Sequence, residues 1–174
     1  FDERFRSPRQ LAKALRCPVL TDLPKKDGMT QLFNGIDHLL ANDKQPIIQL
    51  VSSYDNENID RLARELATFA KVQGKKILLA TTKDLQKNLQ QAHFDFANAN
   101  PNSWTIVTNA GILRDELGQS IAKLAHGTIL VVEAENTRAP VAQESKRLIN
   151  ALGGKVIGAV LVNRKYYIPN WIYN

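Results

Sequence analysis

Five short runs of aliphatic and β-branched residues, separated by stretches with helical spacing, constrain this chain more than any other feature. Four are strong: Ile47 to Val51, Lys76 to Ala80, Ile129 to Val132 and Val156 to Val162; Trp104 to Val107 is weaker. None alternates apolar with polar residues, which is the pattern of strands covered on both faces of a parallel sheet. Between them, Ile59, Leu62, Ala63, Leu66, Ala67 and Ala70 fall on one helical face, with Asp55 or Asn56 available as the cap and Gly74 as the stop. Val141, Leu148, Ile149 and Leu152 repeat such a face between Pro140 and Gly153-Gly154. Strands alternating with helices of this length predict an α/β fold: a doubly wound, mainly parallel sheet with helices on both faces.

Two segments are expected outside that core. Ser7-Pro8 opens a short helix through Leu15, followed by Pro18-Val19-Leu20 and Pro24. From Thr30 a second helix carries Leu32, Phe33, Ile36, Leu39 and Leu40 on one face, while the Asn-rich stretch His93 to Ser103 reads as a surface loop. The division expected is therefore a connecting segment over residues 1–27 and an α/β domain over 28–174.

At 174 residues the chain is long enough for one core and too short for two full-sized domains. No stretch approaches the ~18 uncharged apolar residues of a membrane span, and the opening Phe1-Asp2-Glu3-Arg4 lacks the apolar core of a signal peptide. Because the first residue is not Met, a fragment of a longer protein is expected. A single cysteine, Cys17, excludes a disulfide framework and fits a reducing compartment. The balance of 23 basic against 17 acidic residues gives +6, which suits an anionic surface without being extreme.

In an open α/β sheet, ligands bind beyond the carboxyl ends of strands, near helix N-termini. The first such turn reads Ser52-Ser53-Tyr54-Asp55-Asn56-Glu57-Asn58-Ile59-Asp60. A phosphate cradle there needs glycines for close backbone approach, a Lys for the β/γ charge and a hydroxyl for magnesium. No glycine lies between Gly35 and Gly74, and three carboxylates, Asp55, Glu57 and Asp60, occupy the turn, where they would repel a phosphate.

The order of elements resembles the cytoplasmic domain of bacterial tyrosine kinases (BY-kinases) attached to polysaccharide co-polymerases, the chain-length determinants of capsule and exopolysaccharide. The resemblance runs through nearly the whole chain. Asp2 to Pro8, Leu11 to Leu15, Pro18-Val19-Leu20 and Leu23-Pro24 are similar to the segment after the last membrane helix in those proteins. Val156 to Leu161 with Asn163-Arg164 looks like their closing strand, and Thr137-Arg138 after Val131-Val132 and the Lys75 to Leu79 run also match. What this implies is a P-loop NTPase-like fold, here without a functional P-loop.

By that resemblance Ile59 stands at the phosphate-binding Lys position and Asp60 at the following Ser/Thr, with Asn56 and Asn58 where loop glycines belong. The two aspartates after the second strand correspond to Thr81 and Lys83, and the metal-holding Asp after the third corresponds to Thr108. The oligomer-forming Glu/Arg/Arg helix corresponds to Gln31, Asn34 and Asp37. Loss of these groups together would leave nothing to stabilise phosphoryl transfer, so a pseudokinase with no cofactor and no metal is expected.

Other candidates carry plainer readings. Tyr166, Tyr167 and Tyr173 resemble the family's phosphorylatable tail but, with Trp171 interleaved and no kinase in the chain, read as a packed or partner-docking terminal segment. His38, His93 and His126 share no metal-ligand spacing with Cys17. Ser52-Ser53 lacks a nucleophile elbow and reads as helix capping. Lys25-Lys26, Lys71, Lys75-Lys76 and Arg164-Lys165 are candidates for a basic membrane-facing surface, and Arg138 and Asn163 for remnants of a cleft. The reading that follows is a non-catalytic domain on the cytoplasmic face of the bacterial inner membrane, part of a membrane-anchored chain. It would act in polysaccharide biosynthesis, chain-length control or export through other components of the assembly system. A homo-oligomer and an anionic membrane surface are further expected partners, and nucleic acid is not. A nucleotide- or small-ligand-binding regulatory module is the alternative, and an active ATPase or tyrosine kinase a third.

Overall fold

The computed structural model describes residues 3–54, 58–81 and 88–164. In chain order these form α1 (Pro8–Leu15), β1 (Val19–Asp22), α2 (Gly28–Leu39), β2 (Ile47–Ser52), α3 (Asn58–Val72) and β3 (Lys76–Thr81). There follow α4 (Leu89–Ala99), β4 (Ser103–Asn109), α5 (Glu116–Leu124), β5 (Gly127–Glu133), α6 (Ala139–Ala151) and β6 (Val156–Val162). The six strands make one sheet in the order β1-β6-β5-β2-β4-β3, with every pairing parallel.

Central strands β2, β4 and β5 are buried almost throughout, as continuous apolar runs require. On one face Ile48, Leu50, Ile106 and Ile129 pack under α2 and α3, against Leu32, Ile36, Leu62 and Leu66. On the other, Val51, Leu130, Val132 and Leu161 meet Leu11 and Leu15 of α1 and Ile149 of α6. A smaller cluster joins Ile47 and Val107 to Leu89 of α4 and Ile121 of α5. Each such fully buried side chain contributes about 1.5–3 kcal/mol of transfer free energy. α3 ends at Gly74, whose φ of +97 reverses the chain, and the Lys75 amide returns to the Ala70 carbonyl at 3.0 Å.

Three expectations are corrected. Residues 3–27 do not stand outside the core: Val19–Asp22 is an edge strand paired with β6, and Leu11 and Leu15 are wholly buried. Nor is α2 peripheral, since Leu32, Phe33 and Ile36 are core residues, although Leu39, read as part of its apolar face, is 43% exposed. His93 to Ser103 is not a loop. It is helix as far as Ala99, held because Leu89 and Ala97 face the core, and the Asn100 side chain closes it by donating to the Phe96 carbonyl at 2.9 Å.

Candidate functional site

The helices that leave β2 and β5 lie on opposite faces of the sheet, so the crevice characteristic of doubly wound folds opens at the carboxyl ends of these two strands. Into it leads the turn Ser52-Ser53-Tyr54. Ser52 Oγ donates to the Tyr54 carbonyl at 2.5 Å and accepts from the Gly111 amide at 3.3 Å. Ser53 Oγ lies 2.8 Å from Ser145 Oγ, and since Ser145 donates its own hydrogen to the Val141 carbonyl, Ser53 is the donor. The two hydroxyls thus tie the turn to the β4–α5 connection and to α6, and the segment that leads into α3, where they were expected to cap it, lies outside the described residues.

Ile59 is 1% exposed and packs in the core beneath α3 with Leu62 and Ala63. Its side chain is committed to the interior and does not face the crevice. Asp60, the next residue, points across to β4, where its Oδ1 accepts from the buried Thr108 hydroxyl at 2.7 Å. Two positions singled out separately in the sequence are thus partners. Asp55, Asn56, Glu57 and Lys83 lie outside the described residues, as do Lys165, Tyr166, Tyr167, Trp171 and Tyr173; Asn58 opens α3 and Thr81 closes β3.

A surface pocket of about 340 Å³ opens between the end of β1, α2, α3 and the end of β6. Leu23, Met29, Leu62 and Val162 supply apolar wall, while Lys25, Arg61, Glu65 and Asn163 supply its polar groups. An ion cluster forms one edge: the Asp22 carboxylate, 4% exposed, takes Arg164 at 2.7 Å and Lys25 at 3.2 Å. Asn163, with φ +57, donates to Glu133 at 3.2 Å and lines this pocket. Arg138 caps α6, exposed and bridged to Arg4, outside the residues that line this pocket.

A second polar feature was not foreseen. Gln49, fully buried in the middle of β2, accepts from Thr128 at 2.9 Å and donates to Asn109 Oδ1 at 2.7 Å and to the Gly118 carbonyl at 2.8 Å. Asn109 in turn donates to Asp115, which caps α5 through the Gly118 amide at 3.0 Å. A Cβ on Gly118 would fall 2.7 Å from Asp115 and 2.9 Å from Asn109, so only glycine lets α5 approach this closely. The one hint in the sequence is a glutamine inside the otherwise apolar run Ile47 to Val51.

The remaining candidates are dispersed. Gln31, Asn34 and Asp37 share the exposed side of α2, and Asp37 pairs with Lys75 at 3.1 Å. His93 and His126 meet, with ring centroids 6.4 Å apart. His93 bonds Thr105 at 2.8 Å, and His126 Nδ1 accepts from the Ile47 amide at 2.9 Å. Burial, and secondarily His126, lower the His93 pKa. The basic residues do not assemble into one surface: Lys25, Lys26 and Arg164 follow the carboxyl ends of β1 and β6, whereas Lys71, Lys75 and Lys76 lie at the amino end of β3. Among the described residues no helix is long and apolar enough to cross a membrane.

No protein-family model matches this chain, and no match is found among the curated proteins. Solved structures do match. The chimerical protein CapA2B2 superposes with a TM-score of 0.76 at 16% identity, over 92% of this chain and 100% of its own. The tyrosine kinase domain of BceF gives 0.72 at 11% identity, over 91% and 98%. The kinase domain of the Escherichia coli tyrosine kinase ETK gives 0.64 at 9%, over 82% and 78%. This chain therefore has the P-loop NTPase-like α/β fold of bacterial tyrosine kinase domains; at such identities the likeness speaks of fold alone.

Proposed function

We propose that this chain is a non-catalytic domain built on the tyrosine kinase fold, working through protein contacts rather than phosphoryl transfer. The observation that carries this reading is the Asp60–Thr108 hydrogen bond beside a buried Ile59. ATP with magnesium needs a cation at the first turn of α3 and a free carboxylate at the end of β4. Here the first position is an apolar side chain turned into the core. At the end of β4 stands a hydroxyl, already donating to a carboxylate that faces the phosphate side. The residues present do not fit the nucleotide, and no catalytic step is derived through it.

The likeness in fold to tyrosine kinase domains, together with the resemblance of residues 2–24 to the segment after a membrane helix, supports a place on the cytoplasmic side of a bacterial membrane. There the domain would assist exopolysaccharide or capsule assembly with other components of that system. Calorimetric titration with ATP and ADP in the presence of magnesium tests the site: no heat and no change in melting temperature are expected at concentrations that would detect ~mM affinity. Saturable binding would overturn the reading. The biological placement has its own test, in which deleting the domain changes the chain length or yield of the surface polymer; an unchanged polymer would sink it.

The pocket of about 340 Å³ favours one second reading, a regulatory module for a small ligand. Its volume is within the ~300–1,000 Å³ range of ligand sites. Lys25 and Arg61 facing Glu65 and Asn163 would suit a small anion carrying an apolar group.

A further inference from the structure

The expected basic surface is scattered by the fold, yet another is assembled in its place. On α1, Arg9 and Lys13 are four residues apart and so share one side, and Arg16, the cap residue with φ +51, follows at the helix's end. Leu11 and Leu15 occupy the opposite side and are wholly buried against β1, β6 and α6. Arg9, Lys13 and Arg16 are all exposed, and none has an ion-pair partner among the described residues. Two features keep this stripe uncompensated. α1 contains no acidic residue, and Glu144, the only acidic residue of α6, is held by Arg147 at 2.6 Å. Lys146 adds a further cation at the same end, donating to the Leu15 carbonyl at 2.6 Å and so anchoring the C-terminus of α1.

We infer that this α1 stripe is an electrostatic docking surface for an anionic lipid membrane. Specific protein interfaces are organised around buried aromatic or aliphatic anchors, and no large hydrophobic side chain is exposed on α1. Duplex nucleic acid is read by helices that enter a groove, whereas α1 packs through Leu11 and Leu15 against α6, β1 and β6. A row of exposed cations with no large exposed apolar side chain among them matches a target whose negative charge is diffuse and planar. Binding would be peripheral, with nothing inserted into the acyl region. The stripe includes no residue of the turn after β2, so its test is independent of the nucleotide titration.

The test is co-sedimentation of the 174-residue chain with vesicles of phosphatidylcholine alone and of phosphatidylcholine mixed with phosphatidylglycerol. Binding is expected only to the mixed vesicles and should weaken as salt is raised. The variant Arg9→Gln/Lys13→Gln/Arg16→Gln should lose affinity on the order of a hundredfold, from three cations removed at the surface. A comparison variant, Lys71→Gln/Lys76→Gln/Lys123→Gln, loses the same net charge elsewhere and should lose only severalfold; melting curves verify that both fold. Absence of binding by the unaltered chain, or equal losses in the two variants, would overturn the inference. Tighter binding to duplex DNA or to polyglutamate than to the mixed vesicles would do the same, by assigning the stripe to another polyanion.

Discussion

Thr108 donates its hydroxyl hydrogen to the carboxylate of Asp60 across 2.7 Å, joining the end of β4 to the first turn of α3. In the family that the sequence resembles, the helix carries the hydroxyl and the strand the carboxylate. In this chain the carboxylate stands on the helix and the hydroxyl on the strand. The bond therefore serves to hold helix to sheet where the resemblance would have a metal held.

Replacing Thr108 by Val should cost about 1–3 kcal/mol, because Asp60 loses a donor to a charged group at a partly buried site. At this chain length each kcal/mol lowers Tm by roughly 2–4 °C. Reversing the pair with Asp60→Thr and Thr108→Asp remakes the bond in the other sense, so the double variant should melt above the sum of the single losses. Additive losses in a double-mutant cycle would show that the two residues act independently.

Gln49 carries the second prediction. Gln49→Leu keeps the volume but removes the buried bonds from Thr128, to Asn109 Oδ1 and to the Gly118 carbonyl. A loss of about 2–4 kcal/mol is expected in chemical denaturation. Gly118→Ala should cost about 1–3 kcal/mol by forcing α5 away from β4. Near-neutral behaviour of both would mean the network is incidental.

Stability should fall on mild acidification through His93. Its pKa is lowered in the fold, first by burial and then by His126. The folded form therefore resists a proton that the unfolded chain takes up near its ordinary value of about 6.5. The contribution is complete above that value and is lost as pH falls through it, levelling off below the lowered folded pKa. Groups facing the pair are Thr105 on β4 and, 3.9 Å from His126, Asp43. Denaturation midpoints across this range should slope downward toward acid in the native sequence and slope less in His93→Gln; equal slopes would refute the assignment.

Cys17 should be a slow nucleophile. Burial raises its thiol pKa and outweighs the opposing effect of Lys146, so little thiolate is present at neutral pH. Modification by a thiol reagent is expected to lag far behind that of a free thiol and to accelerate on unfolding. Fast labelling of the folded chain would contradict this.

Much of the architecture was legible from local pattern. The runs at Ile47, Lys76, Trp104, Ile129 and Val156 all became strands, each within two residues of its expected bounds, because fully covered parallel strands need unbroken apolar runs. Ile59 to Ala70 became α3 for a similar reason: its spacing repeats every helical turn. β1 was missed because four residues between two prolines make a weak run, and its partner β6 lies 140 residues away. α4 was hidden by asparagines that the helix keeps on its outside and uses at its end.

The amino-acid order by itself determined the alternation of strands and helices, the burial of each element's apolar side and the chemical types in the turn after β2. These are properties of neighbours along the chain, encoded in unbroken apolar runs for the strands and in a repeat of 3.6 residues for the helices. Only the tertiary structure decided which polar side chains meet. Asp60 and Thr108 are 48 residues apart and Gln49 and Thr128 are 79 apart, and nothing in either segment's periodicity names the other. Their pairing follows from strand order, which places β4 and β5 on either side of β2. That order is set by how two opposed helical layers bury the sheet, a requirement that no single segment of the chain can express.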